Sequence, residues 1–288
     1  MAGGEGLVDS YDGGFSETTT ASFSADMLLG AVTGGALDDE NDAIGDGVMA
    51  AYSFQIDLNT SFTGEDSLDI SLDAGNAGAA GVVMFGANSG GDALSVDGVS
   101  YTFPLGDKTT VIVGDNTDGS ALFTTACVYG GPSNTLDDCG NAYGAIGSGG
   151  GTAFGASYDF GNGFTSAFGV TTEGTNADGV LTAEGDDAYA INAAYTADNY
   201  GVSISYADIE GTLNGAAGEM SAFALNAYYT PEADGMPSIS GGYEAGDTDV
   251  TGGAQGIDSS SWFVGLTWDE IGPGTGGVAV GTKSHTYD

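Results

Sequence analysis

Apolar and polar side chains alternate with a period of two through stretch after stretch of this chain, while the 3.6-residue period of an amphipathic helix is scarcely found. Across 48–58 the even positions Val48, Ala50, Tyr52, Phe54, Ile56 and Leu58 are apolar, and Ser53, Gln55 and Asp57 interleave with them. Leu68, Ile70, Leu72 and Ala74 alternate in the same way with Ser67, Asp69, Ser71 and Asp73. Successive side chains of a strand point to opposite faces, so each stretch has one oily face and one wet face. Alternation over 154–160 and again over 164–170 flanks Gly161, Asn162 and Gly163, which is a hairpin signal. Stretches 189–195 and 200–206, 223–229 and 239–243, and 262–268 and 278–280 repeat the rule. Phe23, Ala25 and Met27 begin a first strand, and shorter strands are expected near Val82, Leu94, Tyr101 and Val111. The pattern predicts about 14 strands and an all-β chain.

Charge narrows what such strands can serve. Asp and Glu number 41 against 2 Lys plus Arg, a formal charge of −39, so phosphate recognition by clustered basic residues is excluded and no nucleic-acid partner is expected. The basic residues are Lys108 and Lys283, and His285 is the single histidine. Histidine acid–base catalysis, phosphoryl clamping and His-rich metal sites lack their side chains, and no nucleophile elbow, zinc-protease, P-loop or dinucleotide motif occurs. The chain therefore reads as a non-enzyme without a cofactor. Disorder is opposed by 41% hydrophobic residues with 14 Tyr and 13 Phe.

No run approaches the roughly 18 consecutive apolar residues of a membrane helix. Residues 1–14 hold neither a basic nor an apolar signal region, and segment 1–20 is expected to be a flexible or periplasmic extension. Short turns at 105–108, 161–163 and 197–199 alternate with long acidic loops at 171–187, 208–219 and 245–259, the connectivity of an up-and-down antiparallel barrel. The longest connection, 115–151, holds Asp115, Asp118, Asp137 and Asp138 together with Cys127 and Cys139. In a wide barrel such a connection can fold inward as a constriction loop. The two cysteines could close a ring in an oxidising compartment or remain thiols, and they are too few for a structural zinc site.

Alternation alone fits a soluble sandwich as well as a membrane barrel turned oily side out. Aromatics near strand ends (Tyr189 and Tyr195, Trp262 and Trp268) favour the barrel, as does a polar face of Ser, Thr, Asn, Gly and Asp almost without Lys or Glu. The alternative is a secreted acidic β-rich adhesin or surface-layer protein with calcium-binding loops.

Asn59-Thr60-Ser61-Phe62-Thr63-Gly64-Glu65-Asp66-Ser67-Leu68-Asp69-Ile70-Ser71-Leu72-Asp73-Ala74-Gly75-Asn76 resembles the signature hairpin of the cyanobacterial outer-membrane porins, relatives of the carbohydrate-selective and iron-uptake porins. Stretch 124–140, with both cysteines, resembles the cysteine-bearing loop of marine picocyanobacterial members, and 155–164 and 262–281 are similar as well. The resemblance spans most of the chain from about Ala21 onward. It implies a homotrimeric, 16-stranded transmembrane β-barrel in the outer membrane, in contact with lipid and lipopolysaccharide, that passively admits small hydrophilic solutes, carbohydrates and ions. Set against it, about 14 strands predict that 21–288 is a barrel lacking its last hairpin.

With Val48, Phe54, Leu68 and Leu72 toward lipid, Asp57, Asp69, Asp73 and Asp159 are the candidate pore-lining residues. Carboxylates facing no Arg or Lys predict mild cation preference, weakened by screening over about 8 Å at physiological salt. In the barrel reading, Cys127 and Cys139 staple the constriction loop. Acidic loops at Asp38, Asp39, Glu40 and Asp42, and at Glu184, Asp186 and Asp187, are either solvated or weak calcium sites.

Overall fold

The computed structural model describes residues 18–30, 49–76, 92–129, 151–172, 186–213, 216–233, 235–250, 256–272, 274–282 and 286–287. Its contacts divide the chain into two compact units, 1–103 and 104–288.

In the first unit β1 (Thr19–Gly30), β2 (Met49–Thr60), β3 (Ser67–Gly75) and β4 (Ser95–Pro104) pair antiparallel in chain order. Register puts Gln55 opposite Asp73, Asp57 opposite Ser71 and Asn59 opposite Asp69, so the polar residues of β2 and β3 share one face. The strand expected near Val82 lies outside the described residues.

In the second unit β5 (Thr109–Asp115), β6 (Thr152–Gly161), β7 (Phe164–Thr172), β8 (Asp187–Thr196), β9 (Tyr200–Leu213), β10 (Ala216–Tyr229), β11 (Ser238–Val250), β12 (Ile257–Ile271) and β13 (Gly274–Gly281) form an antiparallel meander, each strand bonded to the next. A short β14 (Thr286–Tyr287) pairs with β12. The β6–β7 turn needs left-handed backbone at all three positions, with φ of 86° at Gly161, 55° at Asn162 and 84° at Gly163, which is why that residue trio closes it.

Polarity across the strands of this second unit is the reverse of that in a water-soluble sheet. On one face Phe168, Ile191, Tyr206, Phe223, Tyr243 and Trp262 are exposed, Ile191 to 58%. On the other, Asn192, Ser203, Ser205, Asn226, Ser240 and Ser261 are buried. Among the described residues the buried apolar ones are mostly alanines, such as Ala188, Ala190, Ala207 and Ala224, with Phe263 the one aromatic ring. A soluble sandwich would bury its large side chains, since these carry most of the hydrophobic gain. Here the large side chains are outside and the small and polar ones inside.

The aromatics of the outward face fall in two rows. Tyr189 and Tyr195 on β8, Tyr200 and Tyr206 on β9, Phe223 and Tyr229 on β10, and Trp262 and Trp268 on β12 each stand six residues apart, about 20 Å at about 3.3 Å per residue. Between them lie Ala193, Val202, Ile204, Leu225, Val264 and Leu266. An apolar band edged by aromatic rows is the pattern of a sheet facing lipid.

Two expected long loops prove to be mostly strand. β9 runs on to Leu213 and β10 starts at Ala216, while β11 and β12 reach Val250 and Ile257. The period of two continues through Asp208, Glu210, Glu219, Asp247 and Asp249, and their charge made these strand ends look like loop.

Candidate functional site

The polar face of the second unit carries a strap. After β5 the chain turns at Asp118, where the Ala121 N–H donates to the Asp118 carbonyl, and then runs without regular structure to Tyr129 across the small-residue wall. Its bonds step from strand to strand. The Gly119 N–H donates to Thr171 Oγ1 on β7 (2.9 Å), the Thr124 N–H to Asn192 Oδ1 on β8 (3.0 Å), the Ala126 N–H to Ser203 Oγ on β9 (2.8 Å) and the Val128 N–H to Ser240 Oγ on β11 (3.0 Å). Asn192 answers by donating from Nδ2 to the Thr124 carbonyl at 3.2 Å.

Small wall residues let the strap lie close. Phe123 packs on the Ala188, Ala190 and Ala207 cluster, and the Tyr129 ring tilts against Phe263 with centroids 5.1 Å apart. Added Cβ atoms at Gly155 and Gly169 would meet the Gly119 carbonyl, and one at Gly265 would meet Phe263 and Tyr129. A segment without ladder partners thus has its backbone donors satisfied by wall side chains, as burial requires. Sequence reasoning placed a loop here but missed the anchors, because a Ser or Asn on a strand's wet face looks the same whether it meets water or backbone.

The candidate residues divide between the units. Asp57, Asp69 and Asp73 lie together on the polar face of the first unit, each held by neighbouring polar groups. Asp57 accepts from Gln55 (2.8 Å) and Ser71 (2.7 Å), Asp69 from Asn59 (2.6 Å) and Ser67 (2.7 Å), and Asp73 from Ser95 (2.8 Å). Asp159 lies on the polar face of β6 but at its turn end, where its Oδ1 accepts from the Gly161 N–H at 2.7 Å. Asp115 closes β5 and accepts from Thr152 Oγ1 at 3.1 Å, and Asp118 opens the strap. Asp137 and Asp138 lie outside the described residues, as do Asp38, Asp39, Glu40, Asp42 and Glu184. Cys127, on the strap, is disulfide-bonded, and the sequence's other cysteine, Cys139, lies outside the described residues. Among the described residues of β8 to β12 the buried carboxylates are Asp187, at the start of β8, and Glu244, the one on the polar face.

Asp66, in the β2–β3 turn, was not anticipated. Its Oδ2 accepts from the Tyr101 hydroxyl (2.7 Å) and its Oδ1 from the Thr63 N–H (2.7 Å), the Thr63 hydroxyl (2.7 Å), the Ser61 hydroxyl (2.8 Å) and the Phe62 N–H (3.0 Å). The Tyr101 bond first, then those from Thr63 and Ser61, hold this carboxyl far below the ordinary carboxylate range against an opposing desolvation. It is 7% exposed, covered by its own turn rather than by a deep core. The Gly64, Glu65 and Asp66 string gives no sign in sequence that one of its two acids is a structural cap.

Among the described residues no three His, Cys, Asp or Glu side chains converge as a metal site. No family model and no curated protein matches the chain. Solved structures do. It is similar to an anion-selective porin from Comamonas acidovorans with a TM-score of 0.57 and 15% identity, over 91% of this chain and 78% of that one. It is also similar to the outer membrane protein OmpT of Vibrio cholerae in its trimer form (TM-score 0.55, 13% identity, 94% and 81% covered). A porin refined at 1.8 Å resolution gives a TM-score of 0.54 at 17% identity, with 91% and 83% covered. The fold is therefore that of the porins, an all-β antiparallel up-and-down β-barrel.

Proposed function

We propose that this chain is an outer-membrane channel through which small hydrophilic solutes and inorganic ions diffuse passively. One observation carries the reading: across β7 to β12 the large apolar side chains face out and the polar ones face in, with a strap fixed to the polar side. A wall with that polarity is stable only where hydrocarbon replaces water outside, because lipid takes up the apolar band and water or protein takes up the other face. The porin fold of the solved neighbours supports the same setting, and the trimer form named for one of them supports a trimer here.

In this reading the strap narrows the passage, and a disulfide between Cys127 and Cys139 ties its far end. Asp57, Asp69 and Asp73 stand on a polar face that has no Arg anywhere in the sequence to offset them, which gives mild cation preference. The near-neutral wall of β8 to β12 contributes little charge beyond Glu244, so discrimination stays weak. Lipid and lipopolysaccharide are the surrounding partners, and no bond-making step or cofactor enters.

Planar-bilayer recording of the detergent-extracted chain tests this. Stepwise conductance with a cation-directed reversal potential in a KCl gradient is expected. A water-soluble chain that needs no detergent and carries no current overturns the channel and favours the acidic adhesin or surface-layer alternative.

A further inference from the structure

The outward face of β6 to β9 carries a hollow near the short turns. Register sets Tyr158, Ser166, Ala193 and Ile204 side by side on these four strands. Two residues closer to the turns the row is Phe164, Tyr195 and Val202, and two residues closer to the long loops it is Phe168, Ile191 and Tyr206. Two small side chains, Ser166 and Ala193, are therefore neighbours inside a ring of large ones. The result is a groove of about 700 Å³ whose floor they form, with Phe160 and Tyr195 at its sides. Ring contacts stiffen those sides. Phe160 meets Tyr158 edge-on with centroids 4.8 Å apart, and Tyr195 is flanked by Phe164 at 4.6 Å and Tyr200 at 5.8 Å. A preformed apolar concavity of this size is the kind of place a small hydrophobic ligand enters.

A cation stands at the turn end of this groove. Lys108 is the one basic side chain among the described residues of a chain with formal charge −39. Its ammonium donates to the carbonyl of Phe160, a lining residue, at 3.4 Å. Asp159, whose N–H donates to the Lys108 carbonyl, commits its Oδ1 to the Gly161 N–H at 2.7 Å. A lysine ammonium carries three donors, and the Phe160 carbonyl takes one of them. The groove itself belongs to the apolar band, at the level of the turn-end aromatic row, where hydrocarbon gives way to headgroups. Its occupant must be oily along its length and anionic at the end beside Lys108. A phospholipid of the leaflet bordering the short turns has both parts.

We propose that this groove is a specific site for one anionic phospholipid, with an acyl chain over Ser166 and Ala193 and the phosphate on Lys108. The proposal rests on the outer-membrane reading and deepens it. Lipid elsewhere on the band exchanges freely, whereas this molecule is held against β7 and β8, the strands that anchor the first part of the strap through Thr171 and Asn192.

Native mass spectrometry of the whole chain in neutral detergent, titrated with phosphatidylglycerol or with phosphatidylcholine of the same acyl chains, tests this. The wild type is expected to retain one phosphatidylglycerol at concentrations where phosphatidylcholine is not retained. Lys108→Gln should bind phosphatidylglycerol about tenfold more weakly, the loss of one charge-assisted hydrogen bond. Ala193→Phe, which fills the floor, should weaken it at least as much. Val278→Phe enlarges an exposed outward side chain of β13, away from the groove, and should match the wild type. Equal phosphatidylglycerol binding by the wild type and both groove variants overturns the proposal, and so does weakening in only one of the two. Dimers or larger species that Ala193→Phe abolishes while lipid binding persists would make a second copy the occupant and overturn it as well. The same preparations are recorded in bilayers: current from a wild type without lipid selectivity sinks the groove site alone, whereas absence of current is the failure of the channel reading.

Discussion

Thr124 and Asn192 grip one another twice, the Thr124 N–H donating to Asn192 Oδ1 at 3.0 Å and Asn192 Nδ2 donating to the Thr124 carbonyl at 3.2 Å. The same amide also donates to the Ile204 carbonyl (3.2 Å) and Ser205 Oγ (3.0 Å), so one buried side chain ties the strap to β8 and β9 together. Asn192→Leu keeps similar volume but leaves both Thr124 backbone groups without a partner. Orphaning buried polar groups costs about 1–3 kcal/mol each, so the denaturant midpoint of the variant should fall clearly below that of the wild type. Single-channel current should become noisier or larger as the strap loosens. Unchanged current at unchanged stability would remove the strap from the account.

Close approach between strap and wall gives a second prediction. At Gly169 a methyl group would run into the Gly119 carbonyl, whereas at Gly241 it would meet its nearest neighbour, the Phe263 carbonyl, at 3.6 Å. Gly169→Ala is expected to lose about 1–3 kcal/mol by overpacking. Gly241→Ala should sit within about 0.5 kcal/mol of the wild type, as substitutions without a packing conflict do. Thermal unfolding of the two variants side by side measures the difference.

The strands and the sense of their faces could be read from sequence because one-face burial imposes a strict period of two, and residues such as Leu68, Asp69, Ile70 and Ser71 declare it. The strap could not be read, because its anchors Asn192, Ser203 and Ser240 are ordinary wet-face residues until a backbone is laid on them. Asp208, Glu210 and Glu219 were misjudged for a related reason. Charge suggested loop, while the alternation that identifies strand ran on unbroken beneath it. Asp66 was lost among the acids around it, since nothing local foretells that Tyr101, 35 residues on, will reach back to cap it.

Asp66 predicts a pH dependence. Its folded carboxyl is lowered, so the ionised group adds stability that is fully present above the ordinary carboxylate value of about 3.9 and is lost as pH falls from there toward the folded value. Wild type should unfold at a higher denaturant concentration than Asp66→Asn near about pH 7, and the gap should close progressively below about pH 4. A constant gap across that range would show that the caps from Tyr101, Thr63 and Ser61 do not depend on the charge.

Linkage of Cys127 to Cys139 predicts an intact mass two hydrogens below that of the reduced chain, and a digest cut at Asp137 or Asp138 in which the fragments carrying the two cysteines separate only after reduction. Reduction should also broaden channel current, because the strap then loses its covalent tie and keeps only its hydrogen bonds to the wall. Two free thiols in the folded, unreduced chain would contradict the linkage.

The orientation of the sheet faces underlies everything else, and the chain's two tryptophans report on it directly, since Trp262 and Trp268 both lie on the apolar face of β12, one in each aromatic row. Fluorescence of the chain reconstituted into vesicles of brominated phosphatidylcholine measures their contact with lipid. The account predicts strong quenching of Trp262→Phe and Trp268→Phe single-tryptophan variants alike, most effective with bromine placed near the headgroups. Emission from both that is insensitive to bromine at every depth would place these rings in a protein interior and contradict the inverted barrel.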